Sequence, residues 1–252
     1  MRRIERTLVL ICVCLLCSCA ATTQVEKQHQ ADMHYKLAIA HLQSNNPTYA
    51  LKELLTAVKL EPNSSSIQVA LAQAYQQKQA YQEAEKHYFK ALELEPDNPR
   101  YQNNLASLYL DMGEWDKAIE YFDKAANNLL FLNVHIAVTG KGYAYLQKKD
   151  YVNALAAFKE AARIAPRYAP AYFHEADVYH ALGKPDLELK SLEKAVEFAP
   201  QYLEARYRLA TLLIKKHSTE DARKQLQAII NVAPLSEWGQ KAKDLQDALD
   251  VL

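Results

Sequence analysis

The cysteines are the residues whose type and spacing most directly suggest chemistry. All four, Cys12, Cys14, Cys17 and Cys19, lie within eight residues near the N-terminus. Closely spaced thiolates can bind a metal ion. These cysteines, however, sit in or at the end of an apolar run that follows an arginine-rich start, which favours a targeting segment over a metal site. No cysteine follows residue 19, so we expect no disulfide in the folded part.

Residues 1–18 are predicted to be a lipoprotein signal peptide. The apolar run is about eleven residues long, too short to span a bilayer as a helix. It ends in Leu16-Cys17-Ser18-Cys19, which resembles a bacterial lipobox. That resemblance implies cleavage before Cys19, a diacylglycerol thioether on its sulfur and an acylated N-terminus, such as palmitate, and several acyl chains make a stable anchor. Ala20, in place of an aspartate, suggests the outer membrane. An ordinary signal peptide and a short membrane helix are the alternatives.

The remaining polar residues form no recognisable catalytic motif. The sequence has no phosphate loop, nucleophile elbow or zinc helix motif. His34 and His41 lie two turns apart on one predicted helix and could bind a metal, but both match positions used for packing. His174 and His180 do not share a helical face. We therefore expect no enzyme activity, no metal, and no cofactor apart from the covalent lipid on Cys19.

A repeat of 34 residues organises the rest of the chain. Residues 65–98 form one complete unit with two amphipathic helices, A and B, and Pro96 closes it. Small and large apolar residues alternate along one face of each helix, and these are Leu71, Ala72, Tyr75, Ala84, Tyr88 and Ala91. Proline cannot continue helix B because it lacks the N–H, so the chain must turn before the next unit. Self-similarity at this period is typical of tetratricopeptide repeats.

The repeats define the expected domain organisation. Residues 19–30 are predicted to be the lipidated cysteine and a polar tether, and residues 237–252 a capping helix with Ser236 as its N-cap. The six predicted repeats are 31–64, 65–98, 99–134, 135–168, 169–202 and 203–236. Each has a small residue at its eighth position, namely Ala38, Ala72, Ala106, Gly142, Ala176 and Ala210. The predicted fold class is all-α, a right-handed α-solenoid of six tetratricopeptide repeats with a C-terminal capping helix.

Three departures from the repeat lead to local expectations. Repeat three is two residues longer, so Asn127–Val134 should form a longer, apolar turn. Lys141 and Glu175 replace leucine at facing positions of adjacent repeats, which predicts an ion pair unless both side chains extend into solvent. Glu188 replaces an alanine of helix B, so packing should be looser there.

Charge and surface pattern indicate a protein-binding function. The chain has 30 basic and 30 acidic residues, and no basic face that would suggest nucleic-acid binding. Helix A lines the concave side of stacked repeats, and apolar side chains there favour a peptide or helix ligand over a small-molecule substrate. The predicted groove residues are Tyr35, Ile39, Leu42, Val69, Gln73, Gln76, Arg100, Asn103, Tyr143, Phe173 and Tyr207. The alternative is that these side chains pack on their neighbours.

The whole chain resembles the type IV pilus biogenesis lipoproteins, the PilF/PilW pilotin group. The resemblance is carried by residues 37–64, which look like that family's first repeat, and by the irregular junction in residues 125–158. It implies a periplasm-facing protein on the outer membrane that helps the pilus secretin reach that membrane and form multimers. It also implies that the partner binds the early repeats, here Tyr35, Ile39, Leu42 and Val69. The alternative is a lipoprotein scaffold for another envelope complex, in outer-membrane protein assembly or peptidoglycan-enzyme docking.

Overall fold

A computed structural model of the protein describes residues 24–250. The signal peptide, the lipidated Cys19 and the first part of the tether lie outside the described residues. Within that range the chain is entirely helical apart from turns, as expected from the repeat pattern. The helix bounds are α1, residues 24–43; α2, Pro47–Leu60; α3, Ser65–Gln77; α4, Tyr81–Leu94; α5, Pro99–Met112; α6, Trp115–Ala126; α7, Val134–Gln147; α8, Tyr151–Ile164; α9, Ala169–Ala181; α10, Pro185–Phe198; α11, Leu203–Lys215; α12, Thr219–Val232; and α13, Glu237–Asp250.

Two compact units divide the chain between Met112 and Gly113. Unit 1 contains α1–α5, in which each helix packs against the next. Its core lies between α1, α2 and α3, where small residues such as Ala38 and Ala50 let the helix axes approach closely. Leu54, Ile67 and Leu71 fill the space beside them. This division falls inside the third predicted repeat.

Unit 2 contains α6–α13. Helices α7 and α8, α9 and α10, and α11 and α12 form antiparallel pairs, and α13 packs against α12. Its largest core cluster runs from α9 to α13 and includes Leu192, Leu209, Leu226 and Ile229. A second cluster joins Phe158 of α8 to Val178 of α9. Each pair therefore buries its apolar face on the next one, as stacked repeats require.

The small residues at the eighth repeat position are buried, as predicted. The five alanines are fully buried, and Gly142 is buried as well. A Cβ atom on Gly142 would lie only 2.7 Å from Cε1 of Phe158. The ring of Phe122 similarly occupies the space beside Gly140, where a Cβ would lie 2.3 Å from Cζ. At these two positions the absence of a side chain on α7 is what lets an aromatic ring of the neighbouring helix pack against the backbone.

Each turn from helix A to helix B contains one residue in the left-handed conformation. These residues recur with the repeat and are Asn45, Gln79, Gly113, Lys149, Gly183 and His217. Only two are glycines, although glycine adopts a positive φ at the lowest cost. At the other four positions, the packing of the two flanking helices must hold an ordinary residue in a strained turn.

Two sequence expectations about the chain ends can be compared with the structure. The predicted polar tether is wrong for residues 24–30, which are helical and continue α1 toward the N-terminus. The amide of Gln24 donates to Oε1 of Glu61 across 3.4 Å, which ties this extension to the turn after α2. At the other end, α13 covers residues 237–250 of the predicted capping segment. Its predicted N-cap is confirmed, because the backbone N–H of Gly239 donates to Oγ of Ser236 at 3.0 Å.

The expectations inside unit 2 have mixed outcomes. The longer turn is confirmed, since α6 ends at Ala126 and α7 begins at Val134. The predicted Lys141–Glu175 ion pair is wrong. Lys141 instead donates to Asp123 of α6 at 2.7 Å. Glu175 accepts hydrogen bonds from the hydroxyls of Tyr179 and Ser191, so each side chain is satisfied by a nearer partner.

Candidate functional site

Unit 1 contains an open cleft between α1, α3 and α5, which we call the amide cleft. Its volume is about 510 Å³. Ile39 and Leu42 supply an apolar wall, and four glutamines and an asparagine supply amide groups. The lining residues are Ile39, Leu42, Gln43, Gln73, Gln76, Gln77, Tyr88, Asn104, Ser107 and Asp111. Four of the predicted groove residues, Ile39, Leu42, Gln73 and Gln76, therefore line one cavity.

Hydrogen bonds hold the floor of the amide cleft in place. The amide nitrogen of Gln76 donates to Asp111 at 2.6 Å, and the hydroxyl of Tyr88 donates to Oε1 of Gln76 at 3.0 Å. Burial, with Asp111 nearby, raises the pKa of Tyr88, so its hydroxyl keeps its proton and remains a donor. Because Gln76 is held at both ends, it forms a rigid part of the cleft. The side chain of Gln73 is half-buried beside it.

The other predicted residues of unit 1 lie outside this cleft. Tyr35 is half-buried against the core and lines a separate cavity of about 150 Å³ next to the turn after α2. Val69 is buried in α3 and belongs to the core instead of a groove wall. Arg100 is exposed at the start of α5. Asn103 is half-buried, and among the described residues its Oδ1 has no hydrogen-bond partner.

Unit 2 contains a second cleft between α9, α10 and α11, which we call the charged cleft. Its volume is about 560 Å³. Acidic and basic side chains line it together with the aromatic ring of Tyr207. The lining residues are Asp177, His180, Gly183, Lys184, Pro185, Glu188, Tyr207, Arg208, Thr211, Leu212 and Lys215.

Arg208 is the centre of an ionic network on the wall of the charged cleft. Its guanidinium donates to the carboxylate of Asp177 and lies 3.5 Å from Oε1 of Glu188. Nδ1 of His174 lies 2.9 Å from Asp177, and Nδ1 of His180 lies 3.1 Å from Glu188. Burial acts to raise the pKa of Asp177, but the hydrogen bond with His174 and the charge of Arg208 outweigh it and lower that pKa below the ordinary value of an aspartate.

The structure assigns different positions to the three groove residues predicted in this unit. Tyr207 lines the charged cleft and packs against Trp238, with ring centroids 5.5 Å apart. Phe173 is buried in the core, where its ring lies 4.8 Å from the Arg208 guanidinium carbon. Tyr143 is half-buried and contacts the His174 ring edge-on. Phe173 therefore packs against Arg208 of the cleft wall instead of lining a groove.

Sequence reasoning missed Glu188 and Arg208 as site residues. Glu188 stands out in the sequence because it replaces an alanine of helix B, but from the sequence alone we expected only looser packing at that position. Glu188 is instead 7% exposed and paired with Arg208 and His180. A carboxylate is tolerated at this buried position because cationic and hydrogen-bonding partners from two other helix segments reach it.

We expect the network to make stability depend on Arg208. Replacing Arg208 with glutamine should lower the free energy of unfolding by about 1–3 kcal/mol at neutral pH, because it leaves two partly buried carboxylates without their cation. The depressed pKa of Asp177 contributes stability above its unfolded pKa, and this contribution is lost as the pH falls through the folded pKa. Without Arg208 that folded pKa rises toward the unfolded value, so Asp177 stabilises the variant less at neutral pH, and the variant should lose less stability on acidification than the wild-type protein. Thermal unfolding measured at a series of pH values tests this.

Arg163→Gln is the matched control for this prediction. Arg163 forms an exposed pair with Glu160 one turn away on α8, and such pairs contribute little to stability. The control should leave the pH profile of unfolding nearly unchanged. Identical acid profiles for Arg208→Gln and the wild-type protein would show that the network does not stabilise the fold.

The two histidines considered as metal ligands have other partners. Nδ1 of His34 lies 2.6 Å from Oε2 of Glu53, and His41 stacks on Tyr49. Across residues 24–250 no group of three or more histidine, cysteine or acidic side chains is arranged to hold a metal ion. In the same range, no helix combines the length and apolarity needed to cross a membrane.

Solved structures with the same fold include two proteins of type IV pilus systems. Pseudomonas aeruginosa PilF is 20% identical over 87% of this chain and 99% of its own, with a TM-score of 0.68. PilW, described as a widely conserved type IV pilus biogenesis factor, is 21% identical over 84% of this chain and 97% of its own, with a TM-score of 0.69. The APC/C hetero-tetramer Cut9-Hcn1 matches 86% of this chain and 42% of its own at 16% identity, with a TM-score of 0.66. At these identities the likeness shows the fold.

Comparison with models of sequence families gives a result consistent with this fold. No curated protein sequence matches the chain significantly. Tetratricopeptide-repeat models match residues 63–130, 103–169, 169–202 and 189–245. They cover repeats two to six almost without interruption. The chain therefore belongs to the tetratricopeptide-repeat proteins, and it resembles the pilus biogenesis factors PilF and PilW.

Proposed function

We propose that this chain is a non-enzymatic, lipid-anchored protein of the outer membrane, facing the periplasm, that binds a segment of the type IV pilus secretin and supports its localisation and multimer assembly. The observation that supports this most is the likeness to PilF and PilW, which extends over most of this chain and nearly all of theirs. The tetratricopeptide-repeat fold is a protein-binding scaffold, so a protein partner is the simplest ligand for its clefts.

The amide cleft has the properties of a peptide site. Glutamine and asparagine side chains each offer donors and an acceptor, which match the N–H and C=O groups of an extended or helical segment. Ile39 and Leu42 provide apolar contact for one or two side chains of that segment. At about 510 Å³ the cavity falls within the range of typical ligand pockets. We therefore assign the secretin segment to the amide cleft.

The lipid on Cys19 has a separate role in this proposal. An anchor would hold the protein and the secretin at one membrane surface, which raises their effective concentration without adding any contact between them. Moderate affinity in the cleft would then be sufficient for assembly. The anchor and the cleft are thus two separable requirements for the same function.

The cleft can be tested by changing one amide to a carboxylate. Gln73→Glu keeps the shape of the side chain but adds negative charge to a cleft that already contains Asp111. We expect this change to weaken binding of the full-length chain to purified secretin about tenfold, or roughly 1.4 kcal/mol. The matched control is Gln82→Glu on the exposed side of α4. Equal affinities of the two variants for secretin would show that the secretin segment does not bind in the amide cleft.

Complementation of a gene deletion tests the cellular role. The deletion should abolish surface pili and secretin multimers, and the wild-type gene and Gln82→Glu should restore them. Gln73→Glu should restore fewer multimers because it binds more weakly, and Cys19→Ser should fail because it is not anchored. Unchanged multimers in the deletion strain would refute the secretin role. Normal pili together with loss of another envelope complex would favour the alternative scaffold function.

A further inference from the structure

The turn between α6 and α7 exposes three leucines in a short stretch that we call the leucine loop, residues 127–133. Leu129, Leu130 and Leu132 are 101%, 83% and 93% exposed. Phe131, between them in sequence, is buried. Single exposed apolar residues are common on protein surfaces, but three closely spaced and almost fully exposed leucines are an unusual concentration.

The leucine loop is folded, and its fold directs the leucines outward. The backbone N–H of Leu130 donates to Oδ1 of Asn128 at 2.9 Å, and that of Phe131 donates to the carbonyl oxygen of Asn128 at 3.0 Å. Phe131 attaches the loop to the protein. The exposure of the leucines is therefore part of a defined conformation.

The leucine loop and the turn beside it contain an arginine and no carboxylate, and the nearby carboxylates Asp123 and Glu160 are each paired with a basic residue. The ring of His135, just after the loop, contacts Tyr168 at a centroid distance of 4.6 Å, which brings the turn of residues 165–168 alongside. Neither turn contains an acidic residue, and neither does the first turn of α7 or α9. Arg167 lies in the second turn, and Arg163 lies in the last turn of α8, where it pairs with Glu160.

The corresponding turns of unit 1 have a different character. They contain Glu61 after α2, and Glu95 and Asp97 after α4. All four such turns of unit 2 lack acidic residues, and among them only the α6–α7 turn carries several leucines. The three exposed leucines together with the nearby arginine point to a ligand that is both apolar and anionic.

We propose that the leucine loop inserts into the headgroup region of an anionic lipid bilayer, with Arg167 facing the lipid phosphates. The leucines protrude instead of lining a groove, so their surface matches a deformable hydrocarbon layer. Arginine near such a loop gains from the negative surface potential of the lipid. The inference rests on the proposed function for one step, since the lipid on Cys19 is what brings the chain to the membrane. A loop this small then adds a second attachment and limits rotation about the anchor.

A fluorescent probe at position 130 tests the insertion. The processed, lipidated full-length chain carrying Leu130→Cys is labelled with an environment-sensitive dye and reconstituted in phosphatidylglycerol/phosphatidylethanolamine vesicles. The matched control is Val152→Cys at the start of α8, which is also exposed. We expect the dye at position 130 to shift to shorter wavelength, and its quenching by an aqueous quencher to fall about threefold or more. The dye at position 152 should remain in water. Adding Leu129→Ser and Leu132→Ser should return the probe at position 130 to water.

The other outcomes each have a definite meaning. If the chain floats with the vesicles while both dyes are quenched equally, the anchor is supported and the insertion is refuted. If the chain does not float, the anchor and the insertion are both refuted. Shielding of position 130 that requires secretin, or that appears without vesicles as protein concentration rises, would assign the loop to a protein contact and overturn the lipid proposal. Equal insertion into vesicles without anionic lipid would show that Arg167 does not contribute to membrane binding through its charge.

Discussion

Replacing Phe158 with alanine is expected to lower the free energy of unfolding by about 3–5 kcal/mol. Phe158 is 1% exposed, and its ring occupies the space left by the missing side chain of Gly142. It also joins α8 to Val178 of α9. Removing the ring would therefore leave a cavity between two helix pairs, and the rigid backbone of α7 could close it only in part. Chemical denaturation followed by circular dichroism measures the loss, and amide hydrogen exchange in α7 and α8 locates it.

Phe89→Ala is the control for that substitution. Phe89 follows Tyr88, the residue of repeat two that matches Phe158, and it is 40% exposed. Its truncation should cost well under half as much. A double-mutant cycle tests the same contact. Gly142→Ala alone should be destabilising, because the added methyl group clashes with the Phe158 ring. In the background of Phe158→Leu, where that clash is relieved, it should be nearly neutral. Equal losses for Phe158→Ala and Phe89→Ala would contradict the packing of Phe158 against α7 and α9.

Truncation of Leu54 should have the second largest effect, about 2–5 kcal/mol in the Leu→Ala change. Leu54 is fully buried in the core of unit 1, and that core also supports Ile39 and Leu42 of the amide cleft. Its neighbour Leu55 is 43% exposed on the same helix. Leu55→Ala should therefore cost less than about 1 kcal/mol, since most of its surface is already in water.

These adjacent leucines test the register of α2 directly. The measurement is the midpoint of urea unfolding for the two variants, with hydrogen exchange in α1–α3 to locate the change. A larger loss for Leu55→Ala than for Leu54→Ala would mean that α2 turns Leu55, and not Leu54, toward the core of unit 1. Secretin affinity should fall for Leu54→Ala only under conditions in which unit 1 begins to unfold.

Much of the fold could be predicted from the sequence because each repeat carries its own local signals. Ala38, Ala72 and Ala106 recur at one spacing, and only close helix packing requires a small residue at that interval. Proline after helix B and serine before α13 mark helix ends through backbone chemistry that needs no tertiary contact. The extra residues before α7 likewise predicted a longer turn by length alone.

The candidate site was less predictable because it depends on which side chains meet. Ile39, Leu42, Gln73 and Gln76 were placed in a groove by their repeat positions, and they line one cavity. Val69 and Phe173 matched the same positions and are buried. The repeat position sets the direction of a side chain relative to its own helix, but the neighbouring helices decide whether solvent reaches it.

The sequence by itself determined the all-α class, the helix pairs, their small-residue contacts and the capping helix, because these follow from periodicity within about two helical turns. Only the tertiary structure decided that Lys141 pairs with Asp123, that Glu188 is buried beside Arg208, and that Gln79, Lys149 and His217 take left-handed turns. Ion pairs and strained turns are set by distances between helices. Those distances arise from the packing of many side chains together, so no single repeat contains them.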